Sequence, residues 1–145
     1  MNSTKGIHIL LVDDDEDDIL ITKRAFERYE PKNTLYVVRD GDEALDFIYH
    51  RGNYKDKSTP APRLIFLDIN MPKMNGLEVL RRLKNDPEKR RIPVVILTTS
   101  RREQDKIESY NLGVNSYIVK PVDFNKFIEA INTINLYWSL NQLPD

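Results

Sequence analysis

The sequence predicts an α/β fold of the doubly wound type, in which five parallel strands form one sheet with helices against both faces. Three observations predict it. Five short apolar runs recur along the chain, segments of helical spacing separate them, and most of the runs are continuous rather than alternating. A strand covered on both faces reads as an unbroken apolar run, and strands joined through helices lie parallel.

The five runs are Ile7–Val12, Leu35–Val38, Leu64–Leu67, Val94–Leu97 and Tyr117–Val119. The first helical segment places Ile21, Ala25, Phe26 and Tyr29 at three- and four-residue spacings, and the second does so with Ala44, Leu45, Phe47 and Ile48. Leu77, Leu80 and Leu83 with Val79 make a third stripe, and Ile107 with Tyr110 a weaker fourth. The fifth is the clearest, running through Phe124, Phe127, Ile128, Ile131, Ile134 and Trp138. Such spacings put apolar side chains on one face of a 3.6-residue turn. Proline and glycine punctuate the gaps, as at Pro60–Pro62, Pro72, Pro93 and Gly113. The polar stretch from Arg51 to Arg63 reads as a long surface loop. We expect one domain over 1–145, its core about 7–138 and a short tail at 139–145, with no attached output domain.

Composition narrows the function classes. The chain has 145 residues, of which 40% are hydrophobic and 31% charged, the balance of a water-soluble globular domain. No apolar run approaches the roughly eighteen residues that a membrane-crossing helix needs. Cysteine is absent, which excludes disulfides and thiolate metal sites. With no secretory leader visible in MNSTKGIHILLVDDD, a cytoplasmic location is expected. Net charge is −1, and the basic clusters Arg81–Arg82, Lys89–Arg91 and Arg101–Arg102 are short, so no nucleic-acid footprint is expected.

The chemistry collects at the ends of the runs. In an open parallel sheet, sites form at the carboxyl ends of the strands, where strand order reverses. Asp13 and Asp14 end the first run and Asp68 follows the third. In the flavodoxin-like order 2-1-3-4-5 these two strands are neighbours about 4.8 Å apart. Unit charges about 4 Å apart repel by roughly 4 kcal/mol at an effective dielectric near 20, so such carboxylates need a cation or shifted pKa values. A small set of hard oxygen donors suits Mg²⁺, which also accepts a phosphate oxygen. Helix capping accounts for the remaining acids Asp15 to Asp18, with Asp15 as N-cap and Glu16 to Asp18 favoured by the helix dipole. Asp68 by itself would read as a turn residue. The fourth run, however, ends in Thr98-Thr99-Ser100 and the fifth in Lys120-Pro121. A hydroxyl and an ammonium thus join the carboxylates on one rim, where phosphoryl oxygens would need them.

These residues are where the sequence resembles the receiver domain of response regulators, over essentially Ile7 to Trp138. The matching motifs are LLVDDD at 10–15, FLDINMPKMNG at 66–76, VVILTTS at 94–100 and SYIVKP at 116–121. The resemblance implies that Asp68 is the phosphoacceptor in a Mg²⁺-dependent reaction with a sensor histidine kinase or phosphotransfer protein. It implies Asp14 and Asp68 as direct Mg²⁺ ligands, joined by the Asn70 backbone carbonyl, with Asp13 acting through water. Thr98 resembles the switch hydroxyl, Tyr117 its partner aromatic and Lys120 the counter-charge, held by a cis peptide to Pro121. The signal would pass through the face of the fourth helix, fifth strand and fifth helix. Such a protein is a phosphoacceptor rather than an enzyme, catalysing only its own phosphorylation and dephosphorylation.

Among receivers, the runs RDGDEALDFIYHRGNY and DPEKRRIPVVILTTS and the Trp138 tail resemble the stand-alone type that partners bacteriophytochrome kinases. In that type the C-terminal region can form a homodimer, for which Trp138, Leu140 and Leu143 would supply apolar contacts. Position 99 is threonine where many receivers carry a smaller residue. Rival readings fit less well. A haloacid-dehalogenase-type phosphatase would carry a second aspartate where Asn70 stands, and a flavin-binding flavodoxin-like protein would not place six acids after its first strand. No GxxxxGK[ST] motif is present for a Walker-type nucleotide site. A docking-only receiver would lack one of Asp14, Asp68, Thr98 or Lys120.

Overall fold

The computed structural model describes residues 6–29, 32–71, 74–120, 123, 125–126, 128–130 and 132–133. The strands are β1 (His8–Val12), β2 (Thr34–Val38), β3 (Leu64–Asp68), β4 (Val94–Thr98) and β5 (Ser116–Val119). They pair in parallel in the order β2-β1-β3-β4-β5, as the sequence predicts. Between them run α1 (Glu16–Tyr29), α2 (Gly41–Tyr49), α3 (Gly76–Lys84) and α4 (Arg101–Ser109). Residues 125–126, 128–130 and 132–133 are helical, where the fifth helix is expected.

Each helix starts at a side chain that satisfies an otherwise orphaned N–H. Asp15 accepts from Asp17 N–H at 2.9 Å and Asp18 N–H at 3.3 Å, Asp40 from Glu43 N–H at 2.8 Å, and Asn75 and Ser100 from Glu78 and Glu103 N–H, each at 3.1 Å.

The continuous runs are explained by two cores. Leu10, Val12, Ile65, Leu67, Val94 and Ile96 face one side with Ala44, Leu45, Phe47 and Ile48 of α2, Val79, Leu80 and Leu83 of α3, and Ile107 of α4. Ile9, Leu11, Leu64, Phe66, Val95, Leu97 and Ile118 face the other with Ile19 and Phe26 of α1 and Ala130. Alternate residues of each strand go to opposite cores, so both parities must be apolar.

Two expectations need correction. The stretch 51–63 is not wholly a loop. It holds a short 3₁₀ turn, Gly52–Tyr54, fixed by the Tyr54 hydroxyl donating to Glu43 at 2.8 Å. Tyr110 does not share the α4 stripe with Ile107, because α4 ends at Ser109 and Tyr110 is 38% exposed. The side chain of Tyr29, and Phe124, Phe127, Ile131, Ile134 and Trp138, lie outside the described residues.

Candidate functional site

Strand alternation sorts the polar strand-end residues before any contact is considered. Continuing each strand by parity carries Asp13, Asp68 and Lys120 to the side of α1, opposite Leu67 and Ile96. It carries Thr98 to the other side, that of Ile96. Tyr117, paired with Ile96, packs against that same core and so lies diagonally beside Thr98, whose own partner is Val119.

On the α1 side the carboxylates converge. Single ligand oxygens of Asp13, Asp14 and Asp68 all lie within 4.8 Å of one another. Asp13 and Asp68 are buried, at 0% and 1% exposure, while Asp14 is open to solvent. Lys120 Nζ reaches Asp68 Oδ2 at 3.1 Å and Asp13 Oδ1 at 3.7 Å. It also reaches Asp18 Oδ2 at 2.9 Å. Asp18 is a partner of Lys120 that sequence reasoning missed, because capping was a sufficient account of it. The cap prediction holds, since Asp15 is the N-cap and Asp18 sits in the first turn. Yet that position also turns Asp18 inward, to 7% exposure, against the lysine. The available signal was the four-residue spacing from Asp18 to the buried Thr22, whose hydroxyl donates to the Asp18 carbonyl at 2.7 Å.

The electrostatics follow from burial. Desolvation pushes the Asp13 carboxyl up to about 7; the Asp15 N–H opposes this and neighbouring Asp68 adds to it. Burial likewise raises Asp68, against the Asn70 N–H and Lys120, which favour its ionised form. For Lys120, burial works against the charge, but contact with Asp18, Asp68 and Asp13 outweighs it and raises the ammonium above its ordinary value. Two buried acids sharing one pocket need more positive charge than one lysine supplies. Among the described residues, Asp13 Oδ2 is buried without a hydrogen-bond partner. An orphaned oxygen and a three-carboxylate cluster fit a hard divalent cation.

The rim is closed by backbone donors. Asn70 N–H donates to Asp68 Oδ1 at 2.9 Å, and Ile69 N–H to Leu97 carbonyl at 3.1 Å. Gly76, at the start of α3, stands where a Cβ would press on the Asp68 carbonyl, so this close approach requires glycine. Thr98 is fully buried, and its hydroxyl donates to the Ser100 carbonyl at 3.0 Å. Lys120 N–H donates to the Thr98 carbonyl at 2.8 Å, tying the two strand ends together. Tyr117 is half-buried, which raises its phenol. Pro121, and with it the expected cis peptide, lies outside the described residues, as do Leu140 and Leu143. No helix among the described residues is long and apolar enough to cross a membrane.

Comparison with known proteins places this geometry. The chain is 38% identical over 130 residues to the response regulator Rcp1 of Synechocystis, covering 90% of this chain and 87% of that one. It resembles the solved bacteriophytochrome response regulator RtBRR with TM-score 0.85 and 43% identity, over 97% of this chain and 84% of that one. It also resembles the Mn(2+)-bound form of Rcp1, with TM-score 0.75 and 37% identity, over 95% and 97%. Receiver domains bind Mg²⁺ at an acidic pocket, which is the kind of pocket formed by Asp13, Asp14 and Asp68. Residues 9–132 match the family model described as the response regulator receiver domain, and this chain belongs to that family, whose function is to be phosphorylated by a histidine kinase.

Proposed function

We propose that Asp68 is the phosphoacceptor of this chain. The observation that carries the reading is the meeting of Asp68 Oδ2 with Lys120 Nζ at 3.1 Å inside the cluster it forms with Asp13 and Asp14. A carboxylate oxygen of Asp68 attacks phosphorus as the bond from phosphorus to the imidazole nitrogen of a kinase phosphohistidine breaks. The imidazole leaves with the electron pair, and an aspartyl phosphate remains. Lys120 neutralises charge on the transferring group, and Asn70 N–H holds the other Asp68 oxygen at 2.9 Å, orienting the nucleophile. Asp14, Asp68 and the Asn70 carbonyl would hold Mg²⁺, with Asp13 acting through water; the ion supplies positive charge that offsets the phosphoryl oxygens. The chain carries out only its own phosphorylation and the later hydrolysis.

Thr98 and Tyr117 are the switch. They are diagonal neighbours on one side of the sheet, so inward rotation of the Thr98 hydroxyl, away from Ser100, opens space that Tyr117 can fill. That alters the face formed by α4, β5 and the fifth helix, as a population shift between two states.

The experiment is labelling by acetyl phosphate with Mg²⁺. The wild-type chain is expected to be labelled and Asp68→Asn is not; stoichiometric labelling of that variant refutes the assignment.

We infer a kinase of the bacteriophytochrome class as partner, supported by the likeness to RtBRR. Faster phosphotransfer from a bilin-binding kinase than from an unrelated histidine kinase is expected, and equal rates refute it. A homodimer through the C-terminal region is the second interaction we infer. Sedimentation with and without beryllium fluoride, comparing wild type with Trp138→Ala, tests it.

A further inference from the structure

The Thr99 backbone N–H lies at the mouth of the site, one residue beyond the buried Thr98. It is already engaged within the protein. It donates to Glu103 Oε1 at 3.0 Å, and that same oxygen accepts from Asn70 Nδ2 at 3.1 Å. Asn70 in turn holds Asp68 Oδ1 through its own N–H. One carboxylate oxygen from the first turn of α4 therefore bridges the segments that follow β3 and β4, at Asn70, two residues beyond Asp68, and at Thr99.

Helix capping explains part of this. Ser100 and Glu103 form the start of α4, and α2 opens in the same way, with Glu43 Oε1 accepting from Arg39 N–H at 3.0 Å. The bond to Thr99 alone is thus a device the fold uses twice. Glu103 differs in its second donor, Asn70, which belongs to the loop that orients Asp68. It differs also in setting a negative charge one hydrogen bond away from the residue that holds Asp68 Oδ1.

We propose that Glu103 is an anionic latch on the phosphoryl site, occupying the Thr99 N–H and Asn70 amide that an incoming phosphoryl oxygen would take and slowing transfer to Asp68. The proposal rests on Asp68 as phosphoacceptor. A phosphoryl oxygen near Asp68 needs donors on the β4 side as well as Lys120 on the α1 side. Thr99 N–H is the donor there whose direction is fixed by the strand end, and it is already satisfied by a negative group. Glu103 must swing out before an oxyanion can replace it. The swing is open to it, because it sits half-exposed in the first turn of a surface helix. Glu103 is a gating residue and takes no part in bond formation.

The test uses the full chain, acetyl phosphate and saturating Mg²⁺, and reads the rate of labelling in wild type, Glu103→Gln and Ser100→Ala. Glu103→Gln keeps shape and hydrogen bonding but removes the charge, and should be labelled roughly fivefold faster, the rate equivalent of about 1 kcal/mol. Ser100→Ala weakens the same helix start without touching the carboxylate, and should stay within about twofold of wild type, because a lost cap changes stability and not the charge at the site. An unchanged or slower rate in Glu103→Gln overturns the latch, as does equal acceleration in Ser100→Ala. Absence of labelling in the wild-type chain overturns the phosphoacceptor reading itself, and the latch with it.

Discussion

Lys120 Nζ stands 2.9 Å from Asp18 Oδ2, nearer than the 3.1 Å that separates it from Asp68 Oδ2. The lysine that serves the site from β5 is therefore also the pin that holds the first turn of α1 against it. Three acids share one ammonium, whose side chain is only 19% exposed. Removing the cation leaves the acids uncompensated, whereas removing one acid leaves a lysine with two partners.

Lys120→Met should therefore lower unfolding free energy by about 2 kcal/mol in chelator, below the range for fully buried pairs because water still reaches the lysine. Asp18→Asn should cost about 1 kcal/mol or less. Added Mg²⁺ should recover much of the Lys120→Met loss by restoring positive charge. Urea denaturation with and without Mg²⁺ measures all three, and equal losses in the two variants would contradict the shared-cation account.

Asp14 is the exposed member of the carboxylate cluster, so its side chain can be shortened without opening the core. Asp14→Ala should weaken Mg²⁺ binding by roughly tenfold or more, because a hard cation loses one anionic oxygen from a small set. Its thermal midpoint in chelator should rise or stay level, since one repelling charge is gone. An unchanged Mg²⁺ isotherm would remove Asp14 from the ligand set.

Gly76 ties the fold to the site by close approach. In Gly76→Ala the new methyl would meet the carbonyl of Asp68 and the Cα of Ile69, both backbone and unable to yield. The expected cost is about 3 kcal/mol or more, together with slower labelling by acetyl phosphate, because α3 or the end of β3 must move. Calorimetry and labelling together check it; a stable variant that is labelled at the wild-type rate would refute the constraint.

Two tyrosines should titrate late. Burial, then hydrogen bonds to Asp86 and Glu43, push the phenols of Tyr49 and Tyr54 up to about 12. A folded pKa above the unfolded value means that the stabilisation is fully present below about pH 10 and is lost as pH rises through about 12. Absorbance titration should show a late-ionising class that includes Tyr49 and Tyr54 and loses one member in Tyr49→Phe. That variant loses the 2.6 Å bond to Asp86 and should be about 1 kcal/mol less stable. A late-ionising class that keeps its size in Tyr49→Phe would contradict the hydrogen-bonded arrangement.

Much of the site was legible because it depends on parity and position along strands. Asp13, Asp68, Thr98 and Lys120 end apolar runs whose parallel order follows from the alternation of strands and helices, and the sheet places them as expected. Asp18 and Glu103 were not legible. Both sit in the first turn of a helix, where an acid is sufficiently explained by the orphaned N–H groups and the dipole.

The strand order 2-1-3-4-5 came with the likeness to a known fold, whereas the residues by themselves determined five parallel strands, the double-faced core and the placing of carboxylates, hydroxyl and ammonium at strand ends. These are consequences of local periodicity, which each segment carries in its own residues. Only the tertiary structure decided that Asp18 shares Lys120 with Asp68, that Glu103 spans Thr99 and Asn70, and that Tyr49 finds Asp86. Those contacts depend on how far each helix is rotated and shifted on the sheet. That is set by the packing of Ile19 and Phe26 on one face and Ile107 on the other, which no single segment specifies.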